Sequence, residues 1–104
     1  MRVIWHSRAI EGKKQVADYI RREFGLKRKK EFVQEVDKTA GMLMSSPNIG
    51  SIDPLFADRP IAYRSIIISG LSKMVYRLDN EAIHIVAFWD TRREPNAQAA
   101  KVKE

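Results

Sequence analysis

Apolar side chains recur along this chain at two different periods, and the change of period divides it. Arg2-Val3-Ile4-Trp5-His6 is rich in β-branched and aromatic residues and ends at Ser7, so it reads as a short strand followed by a helix N-cap. Beyond it, Ile10, Val16, Ala17, Ile20 and Phe24 recur at helical spacing, with Lys13, Lys14, Asp18, Arg21 and Arg22 between them. Gly25 follows the last apolar position, where a left-handed residue stops a helix. Phe32, Val33, Val36, Ala40, Leu43 and Met44 then mark a second helix that Pro47 terminates. The two form a hairpin. Residues 46 to 61 hold Pro47, Asn48, Gly50, Asp53, Pro54, Asp58 and Pro60, a density of turn formers that predicts an irregular connection. Leu55 and Phe56 are expected to pin it to the core.

After residue 61 the composition becomes strand-like in three runs, Ala62 to Ser69, Lys73 to Leu78 and Ala82 to Trp89. Ser69-Gly70-Leu71-Ser72 and Asp79-Asn80-Glu81 separate them with connections so short that neighbours must run antiparallel. The expectation is an α+β domain in the order β-αα-βββ, with the helix hairpin on one face of an antiparallel sheet and the other face open. A length of 104 residues suits a single domain over positions 1–104 with one core. Residues 94–104 carry no large apolar side chain besides Val102, which predicts a weakly ordered tail.

Charge adds an acidic partner to this picture. Lys and Arg number 19 against 13 Asp and Glu, a net charge of +6, and most of the excess lies before residue 51, on the helices rather than the sheet. No apolar run approaches the roughly 20 residues that cross a bilayer, and the first residues lack the apolar stretch of an export signal. Cysteine is absent, so a cytoplasmic protein with no membrane partner is expected.

Alternation places Lys73, Val75 and Arg77 on one face of their strand, leaving Met74, Tyr76 and Leu78 for the core. Arg64 is in phase with Ile66 and Ile68, and pairing about the Gly70 turn brings it toward Arg77. One of Arg92 and Arg93 continues the last strand onto the side of Arg64. Such a row of cations suits phosphate. It also suits cleavage at a 2′-hydroxyl, which needs a base, a cation for the phosphorane and an acid for the leaving oxygen. Lys73, its proton loosened by neighbouring arginines, is the candidate base. The competing reading is ordinary ion pairing with Asp79, Glu81 and Asp90.

His84, in phase with Val86 and Phe88, is a secondary candidate for proton transfer, although a structural histidine fits it as well. His6 stands equally isolated. Without cysteine or close His/Asp/Glu spacing, neither a metal nor another cofactor is expected. Lys27, Arg28, Lys29 and Lys30 form a weaker candidate for nucleic-acid contact, with a solvated helix face as the alternative.

Four motifs, Ile4 to Ala9, Tyr63-Arg64-Ser65, Lys73 to Arg77 and Phe88 to Pro95, together resemble the RelE/ParE toxin superfamily, in the right order and over nearly the whole chain. That resemblance implies the toxin of a bacterial type II toxin–antitoxin pair, sometimes described as a plasmid stabilisation protein. It also implies a cognate antitoxin whose acidic, partly disordered segment wraps the basic face. RelE-like members cut mRNA on the ribosome; ParE-like members inhibit DNA gyrase. Arg64, Lys73 and one of Arg92 or Arg93 match basic catalytic positions of the nucleases. Those enzymes usually add a tyrosine or histidine near the C-terminus, and Pro95 to Glu104 has neither. Ribosome-dependent mRNA cleavage, gyrase inhibition and a degenerate nucleic-acid-binding domain of the same fold all stay open.

Overall fold

Strand β1 covers Arg2–Trp5 and helix α1 covers Ser7–Phe24 in the computed structural model, which describes residues 1–104. The helix entry differs from the expected one. His6 rather than Ser7 is the N-cap, with extended backbone and no side-chain bond to the first turn. Its N–H bonds Ile85 O at 2.9 Å, so the chain passes straight from the sheet into the helix. Gly25, at φ 94° and ψ 173°, ends α1 in a conformation that glycine adopts freely, and α2 runs Leu26–Ser45. Ala9, Val16, Ala17 and Ile20 form the buried stripe of α1, whereas Ile10 and Phe24 fall off its edge and are about half exposed. On α2, Phe32, Val36, Ala40 and Leu43 are buried and Met44 is exposed.

The sheet has one strand more than the sequence suggests. With β2 at Ser51–Ile52, β3 at Arg64–Ile68, β4 at Ser72–Leu78 and β5 at Ala82–Asp90, the order is β1-β5-β4-β3-β2. The α+β class and the antiparallel meander stand. Strand β1 joins parallel to β5, Arg2 opposite Ala82 through Trp5 opposite Ile85. Sequence spacing does not reveal this, because the partners are connected only through the helix hairpin and the meander.

A bulge lies between β4 and β5: Val75 faces Ala87 while Tyr76 faces Ile85, which leaves Val86 as the extra residue. Alternation therefore breaks in β5. Ile83, Ile85 and Phe88 turn to the helices, and Val86, Ala87 and Trp89 turn to the opposite face. The expected phase of His84 with Phe88 is corrected by this one inserted residue.

Two cores result where one was expected. The first, of 14 buried residues, lies between the helices and the sheet and contains Phe32, Leu43, Met74, Tyr76, Ile83 and Phe88. The second, of 8, lies on the other face, where Phe56, Tyr63, Val75, Val86, Ala87 and Trp89 meet Ala99 and Val102. Phe56 pins its loop as anticipated, through the 3₁₀ turn Pro54–Phe56. Residues 94–104, expected as a weakly ordered tail, instead form helix α3 at Pro95–Ala100 and bury Val102. Pro95 sits in the first turn, and the Glu94 carboxylate accepts the Asn96 and Ala97 N–H groups at 3.1 and 2.7 Å, which caps a helix too short for apolar periodicity to reveal. The face anticipated as open is covered.

Helix α1 reaches β5 only because Gly12 lacks a side chain, since a Cβ there would lie 1.8 Å from Phe88 O. Gly41 of α2 has nothing within 4 Å of the same atom. Gly12→Ala is expected to destabilise by about 1–3 kcal/mol although alanine favours helix, and Gly41→Ala to stabilise by about 0.5–1 kcal/mol. Urea unfolding of the two variants checks the pair.

Candidate functional site

Side chains from five separate parts of the chain converge beside the second core. The turn Asp79-Asn80-Glu81 sets the first of them, because Asp79 Oδ1 accepts the N–H groups of Glu81 at 2.8 Å and Ala82 at 2.7 Å, leaving Oδ2 to meet His84 Nε2 at 2.6 Å. Those two backbone donors and the imidazole hold the Asp79 carboxyl down to about 2. Parallel pairing of β1 with β5 then carries His6 to His84, with Nε2 and Nδ1 2.9 Å apart. The hydrogen bonds assign the protons. His84 donates from Nε2 to Asp79, so its Nδ1 accepts from His6 Nε2, and His6 Nδ1 faces Glu104 Oε2 at 3.7 Å.

Glu104 is the meeting point. Its carboxylate accepts from Arg77 through both Nε and Nη2, and from the Tyr63 hydroxyl at 3.1 Å. Burial pushes the Glu104 carboxyl upward, but the Arg77 and Tyr63 hydrogen bonds outweigh it and hold the group below its ordinary value. Burial, with the neighbouring Glu104, pushes the Tyr63 phenol up. Arg59 completes the arrangement: its guanidinium lies over Phe56 and Tyr63, which stack on each other, and donates to Val102 O at 2.8 Å and Ala99 O at 3.0 Å. The segment from α3 to Glu104 is thus clamped at its carbonyls and at its carboxylate.

The expected row of cations is not assembled. Lys73 and Arg77 do share a face, but Arg64 pairs with Tyr76 on the helix side of the sheet and donates to Gly50 O at 2.7 Å and Asn48 O at 3.3 Å, holding the loop. The phase with Ile66 and Ile68 was right; those isoleucines face the helices. Lys73, the candidate base, meets a carboxylate instead of arginines, its Nζ lying 2.8 Å from Asp53 Oδ2. Burial pushes the Asp53 carboxyl up, yet bonds from Lys73 and the Leu55 N–H together keep it below its ordinary range.

Arg92 chelates Asp90, donates to the Tyr19 hydroxyl at 3.2 Å and lies over that ring on α1, so it is the arginine on the side of Arg64. Arg93 makes no ion pair and lines a groove of about 460 Å³ between α1, β5 and α3, with Arg8, Trp89 and Lys101. Lys27, Arg28, Lys29 and Lys30 lie apart at the α1–α2 corner, where Arg28 covers Phe24.

Of the anticipated ion-pair partners only Asp90 serves a nearby arginine. The partners of Lys73 and Arg77, Asp53 and Glu104, are remote in sequence. So are Tyr63, His6 and Arg59; the first two lie within motifs that point to the family but not to this role, and Arg59 lies in none.

A family model described as ParE toxin of type II toxin-antitoxin system, parDE, matches residues 3–95. Among solved structures, a chain titled as the chromosomal ParDE TA system from P. aeruginosa is similar in fold, with a TM-score of 0.70 at 18% sequence identity, covering 86% of this chain and 95% of that one. No curated protein matches the sequence. The family match ends at the first residue of α3, so most of the clamped segment lies beyond it.

Asp53 is 2% exposed, and Lys73→Met would strand its charge. The variant is expected to lose about 3 kcal/mol at pH 7. A native carboxyl held low contributes stability that is present above the ordinary carboxylate pKa and lost as pH falls through its own. Without Lys73 that contribution is gone, and protonation relieves the buried charge. The gap between variant and parent should therefore shrink on acidification through pH 4, as read from urea midpoints.

Proposed function

The chain belongs to the ParE toxin family of type II toxin–antitoxin systems, and from that membership we propose a toxin that arrests growth by gripping DNA gyrase until its cognate antitoxin covers it. The observation that carries the choice of target is the state of the cations. Lys73, Arg77 and Arg92 are each bound to a carboxylate, and Arg64 is turned to the other face and held by carbonyls. Guanidinium and ammonium groups already paired are poorly placed to hold a scissile phosphate. Contact with a protein surface asks for no such convergent set. Gyrase acts in the cytoplasm, and no helix here is long and apolar enough to cross a membrane.

The imidazole pair supports a second reading. His6 and His84 stand 2.9 Å apart, close to Arg77 and Tyr63, and supply a proton acceptor, a cation and a hydroxyl donor in one place. Those are the groups that transfer to and from a 2′-hydroxyl requires. On this reading the protein is an endoribonuclease whose histidines replace the residue that the C-terminal stretch lacks.

Purified protein, freed of antitoxin, decides between them. Inhibition of gyrase supercoiling with ribosome-bound mRNA left intact is the expected result. Mapped mRNA cleavage that falls at least about a hundredfold in His84→Ala would establish the nuclease reading instead.

A further inference from the structure

Unpaired cations gather where the sheet's paired ones do not, at the corner between the two long helices. Positions 21–30, where α1 turns through Gly25 into α2, hold Arg21, Arg22, Lys27, Arg28, Lys29 and Lys30 against one acid, Glu23, a net +5 when the whole chain carries +6. All six but Lys29 are exposed, and none makes an ion pair, whereas Lys73, Arg77 and Arg92 each do. Four of them also stand where positive charge is least welcome. Lys27 to Lys30 lie at the start of α2, whose first turn has no acid and no side-chain cap, so they face the positive end of the helix dipole. Packing does not account for the run, because burial on α2 begins at Phe32. A ligand of opposite charge does.

We propose that this corner is a contact surface for the phosphate backbone of duplex DNA, held by charge and without sequence preference. The surroundings of the cations select the duplex. Arg28 lies over the Phe24 ring, and Arg22 and Arg92 lie over Tyr19, which meets Phe24 in a T-shaped contact. An unpaired base stacking on either ring would have to displace a guanidinium. That leaves Leu26, about half exposed, as the one unengaged apolar side chain at the apex, too small an area to hold a lipid surface. Three of the four residues in the run are lysine, which the cores of protein interfaces avoid.

Shape agrees with a contact that reads no bases. Two packed helices span about 20 Å, while the major groove is about 12 Å wide, so the corner lies across phosphates instead of entering a groove. That the duplex is the one DNA gyrase holds rests on the toxin reading given above. A toxin seated on the enzyme with this corner across the bound DNA grips both at once.

The experiment titrates the full chain, freed of antitoxin, against a fluorescent duplex of about 30 base pairs, between about 50 and about 200 mM salt. Lys27→Gln with Lys30→Gln is expected to flatten the dependence of log affinity on log salt by about 2, and to weaken binding at least about tenfold at about 100 mM salt. Lys38→Gln with Lys103→Gln removes the same charge from exposed positions elsewhere and should leave the slope unchanged. The charge-conserving pair Lys27→Arg with Lys30→Arg should keep the parent slope. The urea midpoint of the Lys27 and Lys30 glutamine pair should rise, because two cations leave the positive end of α2, and this separates lost contact from lost folding.

An equal loss of slope in both glutamine pairs overturns the proposal, because net charge and not the corner would then set the affinity. So does tighter, corner-dependent binding to single-stranded RNA of the same length or to vesicles containing an anionic phospholipid. In a supercoiling assay the corner glutamine pair should inhibit gyrase about tenfold less well than the parent. Full inhibition by that pair overturns the assignment to gyrase-bound DNA. Absence of inhibition by the parent chain fails the toxin reading instead, and corner-dependent duplex binding then stands without it.

Discussion

Burial of β5 on both faces is the constraint around which the molecule is arranged. Eight of the residues from Ala82 to Trp89 are apolar or histidine, seven of them buried, and such a strand cannot rest at the surface of a two-layer domain. On one side α1 closes over it so tightly that only glycine fits at position 12. On the other side the 3₁₀ turn, α3 and Val102 complete the cover. Its edges are taken by β1 and β4. The bulge at Val86 makes this double burial workable by sending two successive side chains to the face that α3 covers.

The site is a by-product of that cover. His6 meets His84 because β1 had to pair with β5, and Glu104 meets Arg77 because the segment that shields Val86 and Trp89 ends at the rim of β4. Charge follows the same logic. Lys73 projects from the covered face, so its ammonium needs a carboxylate, and the loop supplies Asp53 from a turn that also caps the Pro54–Phe56 helix. Cations that look free on a strand are neutralised wherever another layer is laid over them. In this ParE-family chain Lys73, Arg77 and Arg92 are paired where the layers meet, while Arg93 stays without an ion pair, and His6 with His84 forms the one imidazole pair.

Much of the fold was legible in the order of residues. Helical spacing located α1 and α2, Gly25 and Pro47 marked their ends, and the short turns at Gly70 and Asp79 dictated an antiparallel meander, all because these signals act over a few residues. Phe56 was readable as a loop anchor for the same reason. The motifs around Tyr63, Lys73 and Trp89 carried the family.

What the tertiary structure alone decided lies where residues far apart in sequence come together. The side of the sheet that Arg64 takes depended on where the helices packed; the phase of His84 depended on one bulged residue in β5. Asp53, Arg59 and Glu104 became the partners of Lys73, the Ala99 and Val102 carbonyls, and Arg77 across 20 to 43 positions of chain. Periodicity reports which side chains share a face, since backbone geometry repeats locally. It does not report which layer covers that face, because burial is a property of contacts between distant segments and is settled only when they pack.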